Sequence, residues 1–223
     1  MKKFFLTCLF ILTYATGAHA RDDAQYWSRY SAKLIDTKYI DFVEFWEFRV
    51  LHDWSRVGYW QGTQQIQSDY FKHLGLNVAY TYLESESISS STSVRTMPHQ
   101  HRLELEAVPR FQWKNGIQFT NRNRYEFRWF EHQGSNHGRY RDLYELSFPI
   151  HGLGPIQNIY ANNELFIDMH KHALNENRLI PVGLTIKLFG KNTFKVFYMI
   201  QSKKDTKTWS SNQIFGTQIS LAF

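Results

Sequence analysis

The run Arg102-Leu103-Glu104-Leu105-Glu106-Ala107 decides the fold, because charged and apolar side chains alternate there at a strict period of two. That is the period of a β-strand, whose successive side chains point to opposite faces. Phe111 and Trp113 extend the apolar set, while Arg110 and Gln112 extend the polar one. After the turn signal Lys114-Asn115-Gly116 the chain comes back with the same logic. Gln118, Thr120, Arg122, Arg124, Glu126 and Arg128 share one face; Ile117, Phe119, Tyr125, Phe127 and Trp129 share the other. Asn121 and Asn123 break the rule by falling on the apolar face, as a local bulge would place them.

Working outward, Leu74, Leu76, Val78, Tyr80 and Tyr82 oppose Gly75, Asn77, Ala79 and Thr81 in an earlier segment of the same kind. Further such segments run over 39–52, 57–68, 140–150, 156–167, 178–189, 193–201 and 212–223, with Tyr26 to Leu34 as one more candidate. The connections alternate in length. Long polar ones cover 84–98 (with Ser89-Ser90-Ser91), 131–138, 168–177 and 202–211, whereas 114–116, 151–155 and 190–192 are short. Long loops at one end and tight turns at the other are the layout of an outer-membrane barrel. The expected fold is therefore all-β: a closed antiparallel transmembrane β-barrel of about ten to twelve strands, the range reflecting an even-number rule that an eleventh segment would break.

The composition agrees. The chain has 223 residues, with 26 Lys and Arg against 20 Asp and Glu. Its 18 Phe, 7 Trp and 13 Tyr are far too many for a disordered chain. Residues 1–20 carry Lys2-Lys3, an apolar stretch from Phe4 to Leu12 and Ala18-His19-Ala20, the layout of a secretory signal peptide cleaved before Arg21. Residues 21–223 are then the barrel. The single Cys8 lies inside the signal segment, which excludes a disulfide framework, a thiolate nucleophile and a thiolate metal site from the mature chain.

Alternation alone does not separate a membrane barrel from a soluble one that binds a small apolar ligand. The chain end favours the membrane: Phe223 is preceded at steps of two by Leu221, Ile219, Thr217 and Phe215, the form of signal read by the outer-membrane barrel assembly machinery. Trp and Tyr near the segment ends (Tyr80, Tyr82, Trp113, Trp129, Tyr140, Trp209) suit the two aromatic girdles. The expected location is the cell outer membrane, in contact with its lipids.

Trp27, Glu47-Phe48-Arg49, the strand Leu74 to Tyr82, the charged strand Arg122 to Trp129, Asn163-Glu164-Leu165-Phe166, Glu176-Asn177-Arg178 and Tyr198-Met199 with the aromatic terminus carry a resemblance. With these features the mature chain resembles the uncharacterised outer-membrane barrels grouped as domain of unknown function 2490. The resemblance implies an outer-membrane barrel and carries no catalytic residue or ligand with it.

If the apolar face meets lipid, the interior receives Arg49, Arg102, Glu104, Glu106, Arg110, Arg122, Arg124, Glu126, Arg128, Arg141, Glu145 and Glu164, with Glu47, Lys187 and Lys195. Such a set makes either a salt-bridged filling or a narrow, weakly anion-preferring pore for a small solute, in which Arg122, Arg124 and Arg128 form a cationic ladder. A lipid-modifying enzyme is the alternative; it needs a nucleophile and base near the membrane surface, for which His132, Ser135 and His137 are the loop candidates. Asp168, His170 and His172 would share one face of an extended segment and so form a weak candidate metal site, with His99 and His101 repeating the spacing. No cofactor is called for. Basic residues interleave with acidic ones on the same faces, which does not make a nucleic-acid surface.

Overall fold

The computed structural model describes residues 23–88, 93–131, 137–205 and 208–223. Residues 1–20, Ser89-Ser90-Ser91, His132 and Ser135 lie outside the described residues. The alternating segments become β1 (Ala24–Asp36), β2 (Ile40–Leu51), β3 (Arg56–Phe71), β4 (Leu74–Ser85), β5 (Ser87–Ile88), β6 (Arg95–Thr96), β7 (His99–Gln112), β8 (Gln118–Phe130), β9 (Arg139–Pro149), β10 (Ile156–Asp168), β11 (Ala173–Lys187), β12 (Thr193–Asp205) and β13 (Thr208–Ala222). The short β5 and β6 pair only with each other, inside the connection from β4 to β7. The others close a barrel in the order β1-β13-β12-β11-β10-β9-β8-β7-β4-β3-β2.

Eleven wall strands make the barrel mixed rather than purely antiparallel. Sequential neighbours all run antiparallel, so with an odd number the first and last strands must point the same way. β1 indeed pairs β13 in parallel, from Ala24 opposite Gln213 to Lys33 opposite Ala222. The segment Tyr26 to Leu34 is thus in the wall. Tight turns use the residues their geometry needs: Gly116 (φ 84°) and Gly190 (φ 61°) take the left-handed conformation that only glycine adopts without strain.

The wall has unlike faces. Leu76, Val78, Tyr80, Leu103, Leu105, Leu146 and Phe148 stand exposed on the outer surface. Arg102, Glu104, Glu106, Arg124, Glu126, Arg139, Arg141 and Glu164 are buried within. One arc of the interior is apolar: Trp27, Tyr160, Ile180, Met199 and Ile214 pack together with Phe197. Two glycines make this packing fit. Tyr160 lies directly opposite Gly183, and Phe197 opposite Gly216. A Cβ at either glycine would run into the facing ring, so the ring covers a bare stretch of strand and stays flat against the wall.

Asn121 and Asn123 sit on the outer face without a bulge: β8 pairs β9 residue for residue from Gln118 to Glu126. Their position is explained by a surface network. Asn121 donates to Asp142 Oδ1 (2.6 Å) and to the Leu143 carbonyl (3.0 Å), and Asn123 donates to Asn121 Oδ1 (2.6 Å). The hydroxyls of Tyr140 and Tyr144 donate to Asn123 and Asp142.

Candidate functional site

The interior charges form a ladder that climbs from strand to strand, because inward positions on adjacent strands stand side by side. On β7, Glu104 meets Arg124 Nη1 of β8 at 2.7 Å. Glu106 also pairs with Arg124 and accepts from Gln65 (3.0 Å) and Asn77 (2.7 Å). Glu126 takes Arg139 Nη2 at 2.6 Å on one oxygen and Arg141 Nη1 at 2.8 Å on the other. On β10, Glu164 Oε1 is shared by Arg122 Nη2 (2.5 Å) and Arg141 Nη2 (2.7 Å). Opposite this arc, Arg49 pairs with Glu47 (2.5 Å) and Arg178 with Glu176 (2.6 Å).

Aromatic rings carry the cations across the lumen. The Arg49 guanidinium lies 3.7 Å from the Trp27 ring and 3.8 Å from that of Tyr59. Arg178 sits between Trp27 (4.9 Å) and Phe166 (4.4 Å), and Arg141 covers Phe166 at 4.5 Å. A chord of stacked cations and rings thereby joins β2 and β3 to β9.

Beside the chord lies a cavity of about 710 Å³. It reaches from Glu86, His99 and Glu131 at the long-loop end to Thr120, Lys195 and Gln218 toward the short turns. The arginines of the ladder face it, but Glu104, Glu106 and Glu126 do not line it: they lie under the arginines against the wall, at 2%, 7% and 0% exposure. Among the described lining residues, eleven are Arg or Lys and six are Glu, so the surface that a solute meets is basic even though the ladder is largely neutralised.

The structure brings Arg49, Arg102, Arg122, Arg124, Arg128, Arg141, Glu145 and Glu164 to this cavity. Arg110 is elsewhere. It lies at the short-turn rim, where it pairs with Asp69 at 2.7 Å, because its place near the end of β7 carries it past the lumen. Lys187 is likewise exposed at the end of β11. Lys195 lines the cavity with its ammonium 4.8 Å from the Tyr160 ring. Arg29, Arg139, Glu176, Arg178 and Lys203 also line it, and sequence reading missed them. The signal was there in the two-residue spacing of Arg139 with Arg141 and of Glu176 with Arg178, but both pairs straddle the boundary at which a strand was expected to begin.

The candidate metal set does not assemble. Residues 169–172 form a turn, not an extended segment, with His172 at φ 47°. Asp168 Oδ1 accepts the backbone N–H groups of His170 (2.9 Å) and Lys171 (3.0 Å), so it holds the turn. Among the described residues no three His, Cys, Asp or Glu side chains converge as a metal-ligand group. His99 pairs with Glu131 at 3.0 Å, and His101 Nδ1 lies 2.6 Å from the Tyr80 hydroxyl. His137 packs its ring on Phe130, 5.4 Å between centroids.

At the long-loop rim, Glu86 is the anchor. Its carboxylate receives His52 (2.9 Å), Arg56 (2.8 Å) and Arg95 (2.9 Å), tying β6 to the turn after β2 and to the start of β3. Burial pushes this carboxyl up, but the hydrogen bonds from His52 and Arg56 and the charges of Arg56 and Arg95 outweigh it and hold the group below the ordinary carboxylate range.

In comparisons with known proteins, the family model described as a protein of unknown function (DUF2490) matches residues 24–212. No curated protein and no solved structure matches the chain.

Proposed function

The chain belongs to the DUF2490 family, and we propose that it is an outer-membrane β-barrel forming a narrow, anion-preferring passage for small solutes. The carrying observation is the basic cavity surface, made by arginines that cover their own carboxylates. Such a surface lowers the barrier for an anion and raises it for a cation. The membrane setting is supported by the exposed apolar outer face and by wall strands of 11 to 16 residues. At roughly 3.4 Å per residue and a tilt of about 40°, thirteen residues rise about 34 Å, enough for a hydrocarbon core of about 30 Å. Phe215, Ile219 and Leu221 alternate on β13 ahead of Phe223, the form in which the assembly machinery would read the chain end. Long loops would then face outward and short turns the periplasm, the N-terminal residues of β1 lying at the outer rim because β1 runs parallel to β13.

One observation favours a second reading. The cation and aromatic chord from Tyr59 to Arg141 narrows the lumen, as it would in a barrel that serves as a scaffold. Membrane fractionation tests the setting, and planar-bilayer recording of the purified barrel tests the passage. Conductance with a reversal potential shifted toward the anion is the expected result. Conductance without anion preference refutes the passage reading, and a barrel that inserts without conducting leaves the scaffold.

A further inference from the structure

We propose that the outer wall at β9 and β10 is the interface of a homodimer, in which two copies of the barrel meet side by side in the membrane with Asn163 near the two-fold axis. The inference rests on the membrane reading above and goes beyond it by giving one stretch of the outer surface a partner. On β10, Asn162 and Glu164 line the lumen, so Asn163 between them faces out, with Ala161 and Leu165 on the same side. It is half-buried near the middle of this 13-residue strand. Its direct neighbours are Tyr144 of β9, 44% exposed, and Leu179 of β11. Among the described residues the Asn163 side chain makes no hydrogen bond. Lipid tails offer it neither donor nor acceptor, and headgroups lie about 15 Å from the middle of the hydrocarbon. A carboxamide left bare there is unfavourable.

Asp142 supplies a second observation on the same face. It accepts Asn121 and the Tyr144 hydroxyl but makes no ion pair among the described residues. Ionisable groups within a membrane wall face protein or water rather than lipid. A protein surface over β9 and β10 removes both Asn163 and Asp142 from hydrocarbon.

The occupant is a second copy because a carboxamide is its own complement: it donates through its NH2 and accepts through its oxygen, so two of them close a reciprocal pair. A two-fold axis along the membrane normal brings a residue on the axis against itself at its own depth, the isologous contact of a symmetric dimer. Any other protein would need a matching polar group at that same level. Ala161, two residues along the face, is small enough to let the two walls approach, and small side chains with carboxamide hydrogen bonds join segments within membranes. A carboxamide on the far side of the barrel, Gln64 of β3, also faces out, but it donates to Glu44 Oε1 at 3.4 Å and so has a partner within the chain.

Sedimentation equilibrium of the folded full barrel in a density-matched neutral detergent should show a reversible dimer. Asn163→Leu should raise its dissociation constant at least about tenfold while the melting temperature of the monomeric barrel stays level or rises; a merely structural Asn163 would lower that temperature instead. Ala161→Phe should weaken the dimer by bulk alone, with the amide intact, and Gln64→Leu should leave it unchanged. A wild type that stays monomeric, or a dimer that survives both Asn163→Leu and Ala161→Phe, overturns the proposal. So does extraction from membranes of a one-to-one complex with a different protein, or of a monomer holding a tightly bound lipid, that Asn163→Leu abolishes. A chain recovered in the soluble fraction defeats the membrane reading, whereas an inserted monomer defeats the dimer alone.

Discussion

Asn121 of β8 donates its side-chain amide to Asp142 of β9 at 2.6 Å on the outward face of the wall. The depth of this pair is informative. Asn123, next on that face, lies about six residues from Trp129, and its partner Ala107 lies about six residues from Trp113. In the membrane setting the network is then near the bilayer midplane, where a carboxylate is costly and must be hydrogen-bonded. Replacing Asn121 by Leu leaves Asp142 with one side-chain donor, Tyr144, and should cost about 1 to 3 kcal/mol, the penalty for an under-satisfied buried acceptor. Replacing both Asn121 and Asp142 by Leu should cost less than Asn121→Leu alone. Urea unfolding in phospholipid vesicles measures both, and a double variant less stable than the single one would show that the network is not matched pair by pair.

Leu105 tests the direction of the wall. It is 43% exposed on the outer face, between the inward Glu104 and Glu106. Arginine in its place should lower stability by about 2 to 4 kcal/mol at midplane depth, read as loss of the folded, heat-modifiable band on cold gels. Wild-type assembly of Leu105→Arg would mean that this face does not meet lipid.

The interior was legible up to the point where closure matters. Alternation in residues 102–128 identified the face of Arg102, Glu104, Glu106, Arg124 and Glu126, because period two depends only on neighbours in the chain. The inward role of Trp27 was not legible, because only barrel closure brings Arg49 and Arg178 to its ring. Strand parity was undecided for the same reason, since the parallel seam of β1 with β13 joins residues some 190 positions apart. Asn121 looked like a bulge because its partner Asp142 lies on the next strand, in a register that turn lengths alone do not specify.

Glu126 should be the most sensitive member of the ladder. It is fully buried and neutralises Arg139 and Arg141 at once. Glu126→Gln keeps the shape but takes from Arg139 its carboxylate and from Arg141 one of two, and the expected loss is about 3 to 5 kcal/mol, the usual result of removing one partner from a buried ion pair. Arg141 retains Glu164, so the residual charge concentrates on Arg139. A second substitution, Arg139→Gln, should then restore part of the loss. Urea midpoints of the two single variants and the double variant give the coupling; additive losses would mean that the pair makes no net contribution.

The Glu86 anchor predicts an acid-labile rim. With its pKa held below the usual carboxylate value, Glu86 binds fewer protons in the folded rim than when released. Its contribution is therefore fully present above the ordinary carboxylate range, near pH 4.3, and is lost as pH falls through the lower value of the folded state. Loss of the charge removes the counter-charge of Arg56 and Arg95 together and frees the connection that carries β5 and β6. The Glu86 amide, which donates to the Gly58 carbonyl at 2.7 Å, reports the event directly. Its hydrogen exchange, corrected for the intrinsic effect of pH, should accelerate below about pH 4 in the wild type. In Glu86→Gln it should be fast and nearly independent of pH over that interval. Protection that persists in the variant would show that the backbone alone, and not the carboxylate, holds the rim.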